Sequence, residues 1–233
     1  MDPVERVIPA LDTDLLEEAC RWVDRFQGRL SIFKVGSQLF TRAGPRAVEA
    51  IREKGGRVFL DLKYHDIPNT VSGAVRAATA LGVTFLNVHA LGGAEMIRAA
   101  VEASREEAGK RRLTVPKVLA VTILTSLDAA QLHLMGLRDG VEGCVMRLAH
   151  LAVEAGADGL VASPREVRAL REAFGQQTLL VTPGIRAKRD SRDDQKRVME
   201  PRQALEAGAD YLVMGRSLVE APDPVAVLED LLE

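Results

Sequence analysis

Short apolar runs rich in β-branched and aromatic residues recur along the chain, at residues 7–11, 32–35, 58–60, 85–88, 118–121, 159–161, 179–181 and 211–214. Each has the length of a strand buried on both faces. Between most of them lie stretches with apolar positions at helical spacing and charged residues on the other face, residues 14–26, 42–53 and 95–108 among them. In the first of these, Leu15, Leu16, Ala19, Cys20, Val23 and Phe26 form one face. Alternation of this kind predicts an α/β fold with a parallel sheet. Eight units in 233 residues come close to the roughly 250 residues typical of a (β/α)8 TIM barrel. The expectation is therefore one barrel domain spanning residues 1–233. An open doubly wound sheet is the alternative. Such a sheet usually carries a Gly-rich dinucleotide turn after its first strand, and here that turn reads Leu11-Asp12-Thr13-Asp14.

A near-repeat supports the count. Glu154-Ala155-Gly156-Ala157-Asp158 and Glu206-Ala207-Gly208-Ala209-Asp210 each lead directly into an apolar run. In both, Gly falls just past the last helical turn, where a left-handed residue closes a helix. Lys54-Gly55-Gly56 and Ala80-Leu81-Gly82 read as the same signal.

Composition adds limits. The chain is 47% hydrophobic, enough for a full core, and its net charge of −2 gives no reason to expect nucleic acid as a partner. Cys20 and Cys144 lack metal or redox spacing and read as buried thiols of a cytoplasmic protein. Residues 1–6 show no apolar core of a signal peptide, and no run approaches a membrane span of about 20 residues.

The chemistry concentrates where the third apolar run ends, in Asp61-Leu62-Lys63-Tyr64-His65-Asp66-Ile67-Pro68-Asn69-Thr70. Asp61 and Lys63 are two apart, so an extended strand turns both to one face. A buried Asp and Lys are costly unless paired, and proton handling is a common reason to keep them. Pro68 and Asn69 mark a turn, which puts Asp66 on a loop just past the strand. A Lys between two carboxylates is a candidate proton donor.

In a barrel, ligand groups come from the C-terminal ends of strands. Those ends offer Asp12, Lys34, Asp61 with Lys63, Asn87 with His89, Thr122 with Thr125 and Ser126, Thr182-Pro183-Gly184-Ile185-Arg186, and Gly215-Arg216. The loops after strands seven and eight are the usual phosphate grip of this fold. Gly184 and Gly215 allow close approach of backbone N–H groups, a helix start follows Gly215, and Arg186 and Arg216 supply charge-assisted hydrogen bonds. The segment 184–197 reads either as a solvated loop or as a phosphate lid in which Gln195 contacts ligand; residues 186–197 hold six basic and three acidic side chains. Several positions have plainer readings: Asp12 as a helix cap, Lys34 as unremarkable alone, His89 as a core histidine, Tyr64 and His65 as loop residues.

Taken in order, Ala10-Leu11-Asp12, Phe33-Lys34-Val35-Gly36, the 61–70 string, Asn87-Val88-His89-Ala90, Leu124-Thr125-Ser126, Thr182-Pro183-Gly184-Ile185-Arg186, Asp194-Gln195 and Gly215-Arg216 resemble the orotidine 5′-phosphate decarboxylase family over essentially the whole chain. Asp-x-Lys-x-x-Asp also occurs in related sugar-phosphate decarboxylases and hexulose phosphate synthases. The following Ile67-Pro68-Asn69-Thr70 points to the orotidylate branch. The resemblance implies loss of CO2 from orotidine 5′-monophosphate to give UMP, the last step of de novo pyrimidine nucleotide synthesis, with no metal and no organic cofactor. It implies that Lys63 protonates C6, that Asp61 lies near the substrate carboxylate, and that Lys34, Asp61, Lys63 and Asp66 alternate in one charge network. Asp12, Lys34 and Thr70 are implied to hold ribose hydroxyls, Thr125 and Ser126 to meet the pyrimidine. Pro183, Gly184, Arg186, Gln195, Gly215 and Arg216 are implied to surround the phosphate end. A homodimer is implied, with Asp66, Ile67 and Thr70 reaching the partner's site. The rival readings are an Mg-dependent sugar-phosphate decarboxylase or aldolase, a Schiff-base aldolase, and a barrel that only binds nucleotides.

Overall fold

In the computed structural model, which describes residues 3–185 and 199–230, strands and helices alternate. The elements are β1 (Val7–Pro9), α1 (Leu16–Arg25), β2 (Ile32–Gly36), α2 (Ser37–Ala43), α3 (Pro45–Glu53), β3 (Arg57–Tyr64), α4 (Pro68–Ala80) and β4 (Phe85–His89). They continue with α5 (Gly93–Arg111), β5 (Lys117–Val121), α6 (Ala129–Leu134), α7 (Gly140–Glu154), β6 (Gly159–Val161), α8 (Val167–Phe174) and β7 (Leu179–Thr182). The last elements among the described residues are α9 (Pro201–Glu206), β8 (Tyr211–Met214), α10 (Arg216–Val219) and α11 (Pro224–Asp230). All strand ladders are parallel, in the order β1-β8-β7-β6-β5-β4-β3-β2. A single bridge between Ala10 and Lys34 brings β1 back to β2 and completes the ring. This is the expected TIM barrel.

Strand parity explains why the apolar runs are continuous. Val7, Phe33, Val58, Leu60, Leu86, Val118, Leu160, Leu180 and Leu212 pack outward against the helices. Their neighbours Ile8, Ile32, Phe59, Phe85, Leu119, Val161, Val181 and Val213 fill the barrel interior as a separate cluster. Successive strand residues face opposite sides, so both faces must be apolar when both are buried. Phe59 and Phe85 meet edge to face with centroids 6.0 Å apart, and Phe85 meets Tyr211 at 5.3 Å. On inward parity, two residues further along, come Lys34, Asp61 and Asn87. The apolar interior is thus a floor, and the first polar layer stands on it.

The helix-end glycines behave as expected: Gly156 and Gly208 have φ of 92° and 108°, a region that L side chains avoid. Other expectations need correction. Residues 42–53 do not form one helix, because Gly44 at φ 57° separates α2 from α3 and Pro45 opens the latter. Leu15 is not on the buried face of α1; it precedes the helix and is 59% exposed. Cys20 is only half-buried at the edge of α1, near Asp24, Lys54 and Arg46, whereas Cys144 is buried. Trp22 fills the place at the core instead. β3 runs to Tyr64 rather than ending at Leu60. Among the described residues, no helix is long and apolar enough to cross a membrane.

Candidate active site

At the C-terminal ends of the strands lies a cavity of about 920 Å³. One wall is a row of charges contributed by β2, β3 and the segment that follows β1. Lys34 on β2 places Nζ 2.9 Å from Asp12 Oδ1 and 3.4 Å from Asp61 Oδ2. Asp61 on β3 takes Lys63 Nζ on its other oxygen at 2.7 Å, and the same Oδ1 accepts Asn87 Nδ2 at 2.7 Å. The row therefore reads Asp12, Lys34, Asp61, Lys63, alternating in sign. A methyl group at Gly36 would stand 2.8 Å from both Asp12 Oδ1 and Lys34 Nζ, so only glycine leaves room for that contact.

The charge states follow from the surroundings. Burial works hardest against the Lys34 ammonium, yet Asp61 and then Asp12 outweigh it and hold its pKa above the ordinary lysine value. For Asp61 burial again opposes the charge, and Lys34, Lys63 and the Asn87 amide together hold the carboxyl below the usual range. Opposite charges at contact distance are the deciding effect in both. Burial pushes the Tyr64 phenol up to about 12. The His89 imidazole is lowered by burial first, then by His65 and Lys63. His89 is a half-buried strand-end residue rather than a core histidine. It stacks on His65 with centroids 5.3 Å apart and rings 21° from parallel, and its Nδ1 accepts the Leu91 N–H.

Other walls hold Thr125 and Ser126 after β5, Pro183 and Gly184 after β7, and Gly215 and Arg216 after β8. The helix behind Gly215 is a single turn, Arg216–Val219, so the dipole expected there is small, because a macrodipole sums over peptide units. Arg186 and Gln195, with most of the 184–197 segment read as a lid, lie outside the described residues. The residues flanking that gap are joined: Ile185 bridges Met199, and Met199 N donates to Gly184 O at 3.2 Å.

The structure does not bring Asp66, Ile67 or Thr70 into the cavity of their own chain. Asp66 Oδ1 accepts the Ile67 N–H at 2.6 Å on the turn before α4, and all three residues are exposed, Ile67 at 66%. Within one chain the row therefore contains Asp12, and Asp66, expected to reach the partner's site, is not part of it. The reason is that β3 ends at Tyr64 and the chain turns outward. Asp12 does not cap α1, whose N-cap is Leu15.

Sequence reasoning passed over the end of β6, where Ser163 lines the cavity, and Gln38 on α2, which lines it while donating to Asp14. The strand-end rule already pointed to Ser163; Gln38 lies inside a helix and gave no signal. Thr122 and Thr182, on the candidate strand ends, are fully buried and do not line the cavity. Among the described residues, no three His, Cys, Asp or Glu side chains gather closely enough to hold a metal ion.

Comparison with known proteins bears on what such a cavity handles. A family model described as the orotidine 5′-phosphate decarboxylase / HUMPS family matches residues 5–231. The chain is 53% identical to the orotidine 5′-phosphate decarboxylase of Moorella thermoacetica, covering 97% of this chain and 90% of the relative. It is 50% identical to that of Trichlorobacter lovleyi, covering 98% and 94%. Its fold is similar to the crystal structure of orotidine 5′-phosphate decarboxylase from Lactobacillus acidophilus, with a TM-score of 0.85, 38% identity and coverage of 98% and 97%.

Proposed function

The chain belongs to the orotidine 5′-phosphate decarboxylase / HUMPS family, and from that premise we propose that it is a carboxy-lyase that converts orotidine 5′-monophosphate to UMP and CO2, the last step of de novo pyrimidine nucleotide synthesis. The observation that carries this reading is the alternating row of Asp12, Lys34, Asp61 and Lys63 along one wall of a cavity large enough for a nucleotide.

The substrate carboxylate sits beside Asp61. Two carboxylates about 4 Å apart repel by roughly 4 kcal/mol at an effective dielectric near 20, and departure of neutral CO2 relieves that repulsion. When the C6–carboxyl bond breaks, its electron pair stays on C6. The Lys63 ammonium stabilises this charge and transfers a proton to it, giving the C6–H bond of UMP; solvent then reprotonates the amine. Stabilisation of the developing carbanion is the larger effect. Lys34 keeps Asp61 ionised, and with Asp12 it serves the ribose hydroxyls. Thr125 and Ser126 face the pyrimidine. Pro183, Gly184, Gly215 and Arg216, together with Arg186 and Gln195, form the phosphate end. Binding energy gained there lowers the barrier at the ring, so truncated substrates lose turnover as well as affinity.

We read the working form as a homodimer in which Asp66, Ile67 and Thr70 of one copy complete the site of the other. Their exposure and the one-sided environment of Lys63 within a single chain support this reading. The cytoplasm is the expected compartment, with both cysteines as free thiols.

The test is the absorbance of orotidine 5′-monophosphate mixed with purified protein, with and without EDTA, against a Lys63→Ala control. Metal-independent loss of the orotidylate spectrum, absent in the control, is the expected result. An unchanged spectrum would overturn the reading and favour a keto-sugar phosphate with Mg2+ as the next substrate to try.

A further inference from the structure

The ladder between β3 and β4 pairs Phe59 with Phe85 and Leu60 with Leu86, then resumes only at Tyr64 with Val88. Three residues, Asp61, Leu62 and Lys63, thus stand opposite the single residue Asn87. A bulge of this kind takes backbone donors out of the ladder. One of them, the Lys63 N–H, donates to Asn87 Oδ1 at 2.8 Å. The other end of the same amide, Nδ2, donates to Asp61 Oδ1 at 2.7 Å, the oxygen that also accepts Lys63 Nζ. Lys63 itself has φ 50°, one of two non-glycine residues with positive φ among those described, a conformation that costs about 1–2 kcal/mol for an L residue.

We propose that Asn87 is a positioning residue for the decarboxylation: its amide holds the left-handed backbone of Lys63 and the carboxylate of Asp61 in one planar grip and so aims the Lys63 ammonium into the cavity. The chemistry at the two contacts fixes the residue type. The Lys63 N–H can only donate and the ionised Asp61 can only accept, so the partner needs one acceptor and one donor on a short, rigid group. Asp lacks the donor, Leu lacks both, and Gln is a methylene too long for a fully buried position. With neither contact, the bulge relaxes from its unfavourable φ, and the ammonium moves with it.

The inference rests on the decarboxylase reading, and its test separates the two. Wild type, Asn87→Leu and Asn87→Ser are compared in kcat and KM for orotidine 5′-monophosphate and in affinity for UMP. Leu keeps the volume without the hydrogen bonds; Ser is small enough to fold should Leu prove unstable. A displacement of about 1 Å at a reacting group costs on the order of 10²-fold. The expected result is a loss of that size in kcat for both variants, with KM and UMP affinity near wild type. A residue that only held the fold together would lower UMP affinity and kcat alike or leave the kcat of folded sites unchanged, and either pattern in an active wild-type background overturns the inference alone. An inert wild type overturns the decarboxylase reading and this inference with it.

Discussion

At the N-terminal ends of β7 and β8, Arg171 donates through Nη2 to Asp210 Oδ2 at 2.6 Å and to Gly208 O at 2.8 Å, and through Nη1 to the carbonyls of Thr178 and Gly175. Asp210 accepts the Leu180 N–H as well, at 2.7 Å. At the opposite end of the barrel, Lys63 has one ion-pair partner among the described residues, Asp61, and its side chain is 38% exposed to the cavity. Both networks pair a base with an acid beside a strand. In the first, each guanidinium nitrogen already has an acceptor, so the pair ties three chain segments together and offers nothing to a ligand. In the second, the ammonium keeps donors to spare, on a backbone that is itself unfavourable. Saturation makes a staple; incomplete saturation leaves a reagent. The division matches the barrel rule that the N-terminal face serves stability and the C-terminal face chemistry.

The largest break in this comparison comes from Lys63→Ala. Loss of a positioned proton donor predicts a fall in kcat on the order of 10⁴-fold, while a denaturant melt shows a change of no more than about 1 kcal/mol, because Lys34 and Asn87 still hold Asp61. Arg171→Ala should invert that pattern. Leaving Asp210 and three carbonyls without their donor predicts a loss of about 3 kcal/mol in unfolding free energy, with turnover per folded site close to wild type. A large drop in kcat with intact stability would contradict the division of labour. Arg216→Ala sits between them: KM is expected to rise by roughly 10–100-fold with a smaller change in kcat, and steady-state kinetics that show unchanged KM would remove Arg216 from the phosphate end.

The smallest effects lie in the pH dependence of stability. His89 has a pKa lowered on folding, so the unfolded chain binds its proton more tightly. Its contribution is complete above about pH 6.5 and lost as the pH falls through the folded value. Asp61, also lowered, acts in the same direction further down, below about pH 4. Lys34 and Tyr64 are raised, so their contributions are complete below about pH 10 and lost as the pH rises. Melting His89→Gln across about pH 5–7 should show a flatter acid limb than wild type; an identical slope would clear His89 of any part in it.

Much of this was legible along the chain. The eight strands could be placed because inward and outward positions are both apolar, and the Asp61–Lys63 contact because the residues are two apart. That second inference reached the right contact by an incomplete route. The pair does not lie on a regular strand; Lys63 is left-handed in a bulge. The bulge depends on how β3 meets β4, which no local pattern encodes. For the same reason Asn87 stood out only as a strand-end polar residue, not as the group that grips both. The break at Gly44-Pro45 was written in the sequence, since both residues interrupt a helix. Asp66 does lie on a loop, but Pro68 and Asn69, read as a turn, open α4 instead, Pro being well suited to the first helical position; the direction in which the chain leaves Tyr64 had no local signal.

One seam of the barrel differs from the other seven. β1 and β2 share no ladder; they meet through the Ala10–Lys34 bridge, the Leu11 N–H to the Lys34 carbonyl at 3.0 Å, and the Asp12–Lys34 ion pair. Closing the ring also joins β1 to β8 across some 200 residues of intervening chain, a slow step for any polypeptide. An intermediate with the six ladders from β2 to β8 in place and β1 not yet docked between β8 and β2 would hold its helices and most of its sheet yet lack the first link of the charge row. During refolding, circular dichroism should therefore recover ahead of turnover, because the last act of assembly is also the one that completes the catalyst.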